Sequence, residues 1–201
     1  MVGVELDAGK WPRLDSPVEA STRPLRQLAL PLLAGALVAE TLGVVAREKT
    51  ISPDAYPAGF FRLFFSDTLH LKAWLATVAV LLACTQLFTA AWIFRKLPWP
   101  RPPFVNVVHR WAGRLAFLAT LPVAYHCIFL LGFQTYTTRV GVHSFFGAAV
   151  YGAFAAKVTI VRMHRFPRWV LPVAGSLLFV TLLGVWYTSA LWFFRTFGEG
   201  I

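Results

Sequence analysis

The chain has 201 residues, of which 57% are hydrophobic and only 14% charged, with a mean hydropathy of +0.61. A soluble domain of this composition would leave too much apolar surface in water, so the sequence reads as a polytopic membrane protein. Its net charge of +10 could point to nucleic acid, but the basic residues gather between apolar stretches, as they do on the cytoplasmic face of membrane proteins, and nucleic acid is set aside.

Residues 1–24 are polar, carry Pro12, Pro17 and Pro24, and hold no early apolar stretch. They read as a cytoplasmic tail and not as a signal peptide. Residues 25–197 read as a single transmembrane domain. Span one covers about 25–46, span two 67–94, span three 105–132, span four 140–162 and span five 169–195. Each reaches the ~20 residues that ~30 Å of hydrocarbon requires. Each must be helical, because lipid offers a free amide or carbonyl no partner. Between spans one and two, YPAGFFRLFFSD sets Phe60 and Phe64, and Phe61 and Phe65, one helical turn apart. That spacing predicts an interfacial segment near 56–66 lying on the outer leaflet. The expected fold is an all-α integral membrane bundle of about five transmembrane helices in the plasma membrane, in contact with lipid.

The loops set the orientation. Arg95, Lys96 and Arg101 lie between spans two and three, and Arg162, Arg165 and Arg168 between four and five. Lys10, Arg13, Arg23 and Arg26 precede span one. The alternate loops carry far less net positive charge, which places the N-terminus inside and the C-terminus outside. On span four, Ala148, Gly152 and Ala156 form a small-residue stripe that lets a neighbouring helix come close. Cys84 and Cys127 belong to no CxxC or CxxCH pattern and lie at different depths, so they read as small core residues with no disulfide between them.

All five histidines lie in or beside the spans, where ionisable groups are costly and invite a functional reading. His70, His126 and His143 fall at one outer depth; His109 and His164 form an inner pair. Imidazole is a standard axial ligand of haem iron, and a bis-histidine haem needs two rings at matching depth from facing helices. Neighbouring helices 8–10 Å apart leave little room for that, whereas diagonal helices leave more. His70 and His143, on spans two and four, are therefore the first pair for an outer haem, with His126 and His143 second. A second, inner haem would use His109 and His164. The 17 residues between His109 and His126 do not align these two on one face unless Pro122 bends or unwinds span three. The outer trio could instead bind copper or zinc directly. On the inner half of span three, Arg110 and Arg114 are expected to meet an anion: a haem propionate, a lipid phosphate, or a carboxylate such as Glu40. Lys72 and Arg139 are placed to meet outer propionates.

The string HRWAGRLAFLATLPVAYH, residues 109–126, resembles the HRWxGRLA…H helix of b561-type and ferric reductase-like membrane cytochromes. More closely, LHLKAWLAT, VHRWAGRLAFL, LPVAYHC, VHSFFGAAVYGAFAAK and TSALWFF resemble a small actinobacterial multi-pass membrane family of unassigned function. The cytochrome likeness implies one or two haems b and electron transfer, and bears on His109 and His126. The match departs in spacing: the reductase helix separates its histidines by about 13 or 14 residues. No flavin- or nicotinamide-binding region is visible, so an electron donor and acceptor would be separate molecules. The expected function is thus a membrane b-type cytochrome passing electrons between the quinone pool and an outer-face redox partner or larger respiratory complex. The competing reading is a non-catalytic anchor or structural subunit whose histidines bond helices together.

Overall fold

Stretches this apolar cannot leave backbone groups unpaired in lipid, and each folds into one long helix. In this computed structural model, which describes residues 23–48, 63–163 and 166–197, five helices are long and apolar enough to cross a membrane. No strand occurs among the described residues. The helices are α1 (Arg23–Arg47), α2 (Thr68–Ile93), α3 (Val105–Tyr125), α4 (Thr138–Met163), α5 (Val170–Trp186) and a short α6 (Trp192–Phe197). Helix α3 runs on into a wider π-helical segment, His126–Leu131, and a π turn, Tyr187–Leu191, joins α5 to α6, so each pair forms one continuous span. The spans agree with the hydropathy reading to within a few residues. The tail before residue 23, most of the 56–66 segment and His164 lie outside the described residues; Phe64 and Phe65 stack at 4.8 Å within a turn.

Helix starts and stops follow local chemistry. Asp67 caps α2, its Oδ1 accepting from the amides of Leu69 and His70 at 2.8 and 2.9 Å. At the other end, Lys96 N–H donates to the Ala91 carbonyl at 2.8 Å and Arg95 N–H to that of Trp92 at 3.1 Å. Arg95 itself takes φ 55°, the left-handed stop of a Schellman motif usually given to glycine. Burial acts to raise the Asp67 pKa, but the hydrogen bonds from His70 and Leu69 outweigh it and hold the carboxyl below its ordinary value. The cap's contribution is therefore complete above the unfolded carboxyl's pKa of about 3.9 and fades as pH falls through the lower folded value. Asp67→Ala should cost about 1 kcal/mol at neutral pH, read as a lower melting temperature in detergent, and the gap to the native protein should close on acidification.

Around the bundle the packing order is α1, α4, α5, α2, α3. Helices α2 and α4 are thus separated, both resting on α5. The neighbour of the small-residue stripe is α1: a Cβ on Gly152 would stand 2.7 Å from the Gly35 carbonyl oxygen and 2.9 Å from Ala39 Cβ. Helices α3 and α4, though consecutive, stay apart. Large side chains span the gap, with Phe117 stacked on Phe154 at 4.4 Å and Tyr151 Oη donating to the Thr120 carbonyl at 3.2 Å. Helix α1 is held at one further point, where Phe133 N–H donates to the Ala46 carbonyl at 2.9 Å and Arg47 lies over the Phe133 ring. We call the end bearing Lys96, Arg162 and Arg168 the basic end, and the one bearing His70 and His143 the opposite end.

Candidate functional site

Four histidines are described, and the same atom of each is engaged. His70 Nδ1 lies 2.5 Å from Asp67 Oδ2, whose other oxygen caps α2. His126 Nδ1 lies 2.8 Å from the Pro122 carbonyl, one turn back along its own helix. His109 Nδ1 lies 2.9 Å from Thr89 Oγ1 on α2, and His143 Nδ1 lies 3.2 Å from Thr188 Oγ1 in the π turn.

The partners decide where the ring proton sits. A carboxylate and a carbonyl only accept, so His70 and His126 carry their proton on Nδ1. Each threonine hydroxyl also lies within bonding distance of the carbonyl one turn back, Thr89 at 2.7 Å from Thr85 and Thr188 at 2.7 Å from Gly184, and while it donates there it has no hydrogen for its histidine. Each hydroxyl then accepts from its histidine. The arrangement suits the Nδ1–H tautomer in all four imidazoles, with the Nε2 lone pair turned away from the anchoring oxygen. That is the tautomer of an imidazole that ligates through Nε2, oriented by an oxygen on its other nitrogen. The donor set therefore fits an axial haem ligand.

At the opposite end, His126 is buried at 2% exposure and His143 is half-buried. The His70 ring meets Phe193 of α6 edge-on at 5.0 Å, while His143 bonds Thr188, five residues earlier on the same stretch of chain. The first-choice pair thus leans on one shared segment from two separated helices. Among the described residues no three His, Cys, Asp or Glu side chains gather as a metal site would need, so the trio does not form a three-ligand set. Lys72 makes no hydrogen bond or ion pair to a described residue, and its charge acts on both His143 and Cys127. Arg139 is engaged by its own chain: its guanidinium donates to the Thr188 carbonyl at 2.7 Å and lies 3.9 Å from the Trp192 ring centre. Cys84 and Cys127 are both free thiols.

The basic half holds His109, on the wall of a cavity of about 1290 Å³ between α2, α3, α4 and α5. Gln86 Nε2 donates to the His109 carbonyl, and Gly113 makes room for it, since a Cβ there would stand 2.7 Å from that nitrogen. The glycine of the HRWAGR string thus has a packing reason. Arg110 and Arg114 both line the cavity, and Arg114 lies 5.2 Å over the Trp111 ring. Glu40, on α1, is exposed and forms no ion pair among the described residues.

The anchors Thr89, Thr188 and Asp67, and the cavity residues Gln86 and Lys157, escaped the sequence reading. Thr89 lies 20 residues from His109 and Thr188 lies 45 from His143, so no local spacing could reveal them. One family profile matches the chain over residues 28–200, that of a family of unknown function, DUF6529. No curated protein and no solved structure matches it.

Proposed function

The chain belongs to the DUF6529 family, and from its histidines we propose a membrane b-type cytochrome that passes electrons between the quinone pool and a partner at the opposite end. The single observation that carries this reading is that Nδ1 of His70, His109, His126 and His143 each lies within bonding distance of an oxygen, an arrangement that suits the Nδ1–H tautomer. Uncharged histidines kept as plain structural donors need no common tautomer, whereas ligands through Nε2 do. Haem b supplies one-electron chemistry when bound.

His70 and His143 remain the preferred ligands, with His126 as the alternative to His70. Asp67 and Thr188 hold the two rings in orientation and raise their basicity as ligands. Lys72, with no partner among the described residues, meets a propionate in this reading. Arg139 serves instead to fasten α6 to α4, since its charge is already spent on Thr188 and Trp192.

The test is the absorption spectrum of the detergent-purified, dithionite-reduced protein. A Soret band and a b-type α band are expected, both lost in the His70→Ala, His143→Ala double variant while helix content and elution volume stay unchanged. No Soret band, or haem retained by the folded double variant, would sink the reading. A second reading rests on a separate observation: two of the four bonds, His109 to Thr89 and His143 to Thr188, run between helices. As an anchor or structural subunit the protein would show no absorbing cofactor, and single substitutions at its histidines would lower stability mildly and alike.

A further inference from the structure

The cavity beside His109 asks for an occupant on grounds that do not depend on haem. Its lining carries six cations, Lys96, Arg110, Arg114, Lys157, Arg162 and Arg168, and no aspartate or glutamate. We propose that it binds an anionic phospholipid of the surrounding bilayer, the phosphate seated among these cations and the acyl chains lying in the apolar interior.

Four observations carry the proposal. Positive residues at helix ends are ordinary topology signals, but Lys157 lies six residues inside the end of α4, about 9 Å along the helix. It faces the cavity and makes no hydrogen bond or ion pair with any described residue. A cation at that depth is costly without an anion, and no described residue provides one. Second, the volume of about 1290 Å³ exceeds the ~300–1,000 Å³ usual for small-molecule pockets, which suits a long-chain amphiphile. Third, away from the cations the wall is hydrocarbon-like, with Leu87, Phe117, Val158, Phe179 and Leu182. Fourth, Trp111, Leu118, Val161 and Val173 line the cavity and are also exposed on the outside of the bundle, so the space is continuous with the bilayer. A lipid can enter sideways without unfolding any helix. The charge excess decides against a neutral occupant such as a quinone, because Lys157 would then face the apolar chamber with no anion from a described residue.

The experiment is native mass spectrometry of the intact chain in mild detergent, titrated with phosphatidylglycerol and, separately, phosphatidylcholine. One phosphatidylglycerol per chain should be retained in preference to phosphatidylcholine. Lys157→Gln should weaken that retention about fivefold, the effect of losing one ~1 kcal/mol headgroup contact. Lys157→Arg should restore it, and Lys72→Gln, at the opposite end, should leave it unchanged. Equal retention of the two lipids, or an unaltered Lys157→Gln variant, overturns the proposal. So does a native occupant that proves to be a quinone, or a haem lost on His109→Ala. The absorption spectrum tests the cytochrome reading separately, so failure of one does not imply failure of the other.

Discussion

Gly152→Leu should lower the melting temperature of the detergent-solubilised protein by roughly 6–12 °C, corresponding to about 3 kcal/mol of overpacking. The cause is backbone proximity. The new Cβ would stand 2.7 Å from the Gly35 carbonyl oxygen and 2.9 Å from Ala39 Cβ, and neither belongs to a flexible side-chain tip that could swing aside. The same holds in reverse: a Cβ on Gly35 would meet the Gly152 carbonyl at 2.7 Å. The two helices must separate, and α1 has little else to hold it, since among the described residues it packs chiefly on α4, with the π segment after α3 and Phe133 touching its end. Gly147, on the same helix, has nothing within 4 Å of an added Cβ and supplies the control. If Gly147→Leu and Gly152→Leu melt alike, close approach at Gly35 is not what joins α1 to the bundle.

The second large effect is expected at Thr188. Replacing it with valine keeps the shape and removes the oxygen that accepts from His143, leaving the half-buried ring N–H only the Val185 carbonyl as acceptor. Losing one hydrogen bond of that kind costs about 1 kcal/mol. Thr188→Ser, which keeps the hydroxyl, should recover most of the loss. The decisive measurement is a double-mutant cycle with His143→Leu. Because each variant already breaks the same bond, the pair should cost less than the sum of the singles, with a coupling of about 1 kcal/mol. Additive losses would mean that the 3.2 Å contact contributes nothing and that Thr188 does not orient the His143 ring.

Much of the fold was legible because lipid forces a simple code. Five apolar stretches had to become five helices, and the hydropathy limits of span three, 105–132, match the observed 105–131. Legibility ended where helices meet. The stripe at Gly152 announced a close neighbour but not that the neighbour is α1. Consecutive helices α3 and α4 are held apart by Phe117, Thr120, Tyr151 and Phe154, which leaves room for the cavity. Of the site, the histidines and cavity-lining arginines announced themselves by being polar in apolar runs. Their oxygen anchors did not: a threonine in a membrane helix usually bonds its own i−4 carbonyl, and Thr89 and Thr188 do that while also receiving a histidine. His109 and His126 could share a face only if Pro122 bent or unwound span three; the departure from α pitch comes one turn later, as the π segment from His126.

That segment has a meaning for the reading frame of the span. A π turn accommodates more residues than an α turn, so beyond it the chain is out of phase with the helix that precedes it. Forcing the segment into α pitch without removing a residue would rotate everything downstream by about 100°. Phe133 would swing off the Ala46 carbonyl and out from under Arg47. The far end of α1 is moored by a single surplus residue, and at this place the length of the chain, as much as its composition, is part of the code.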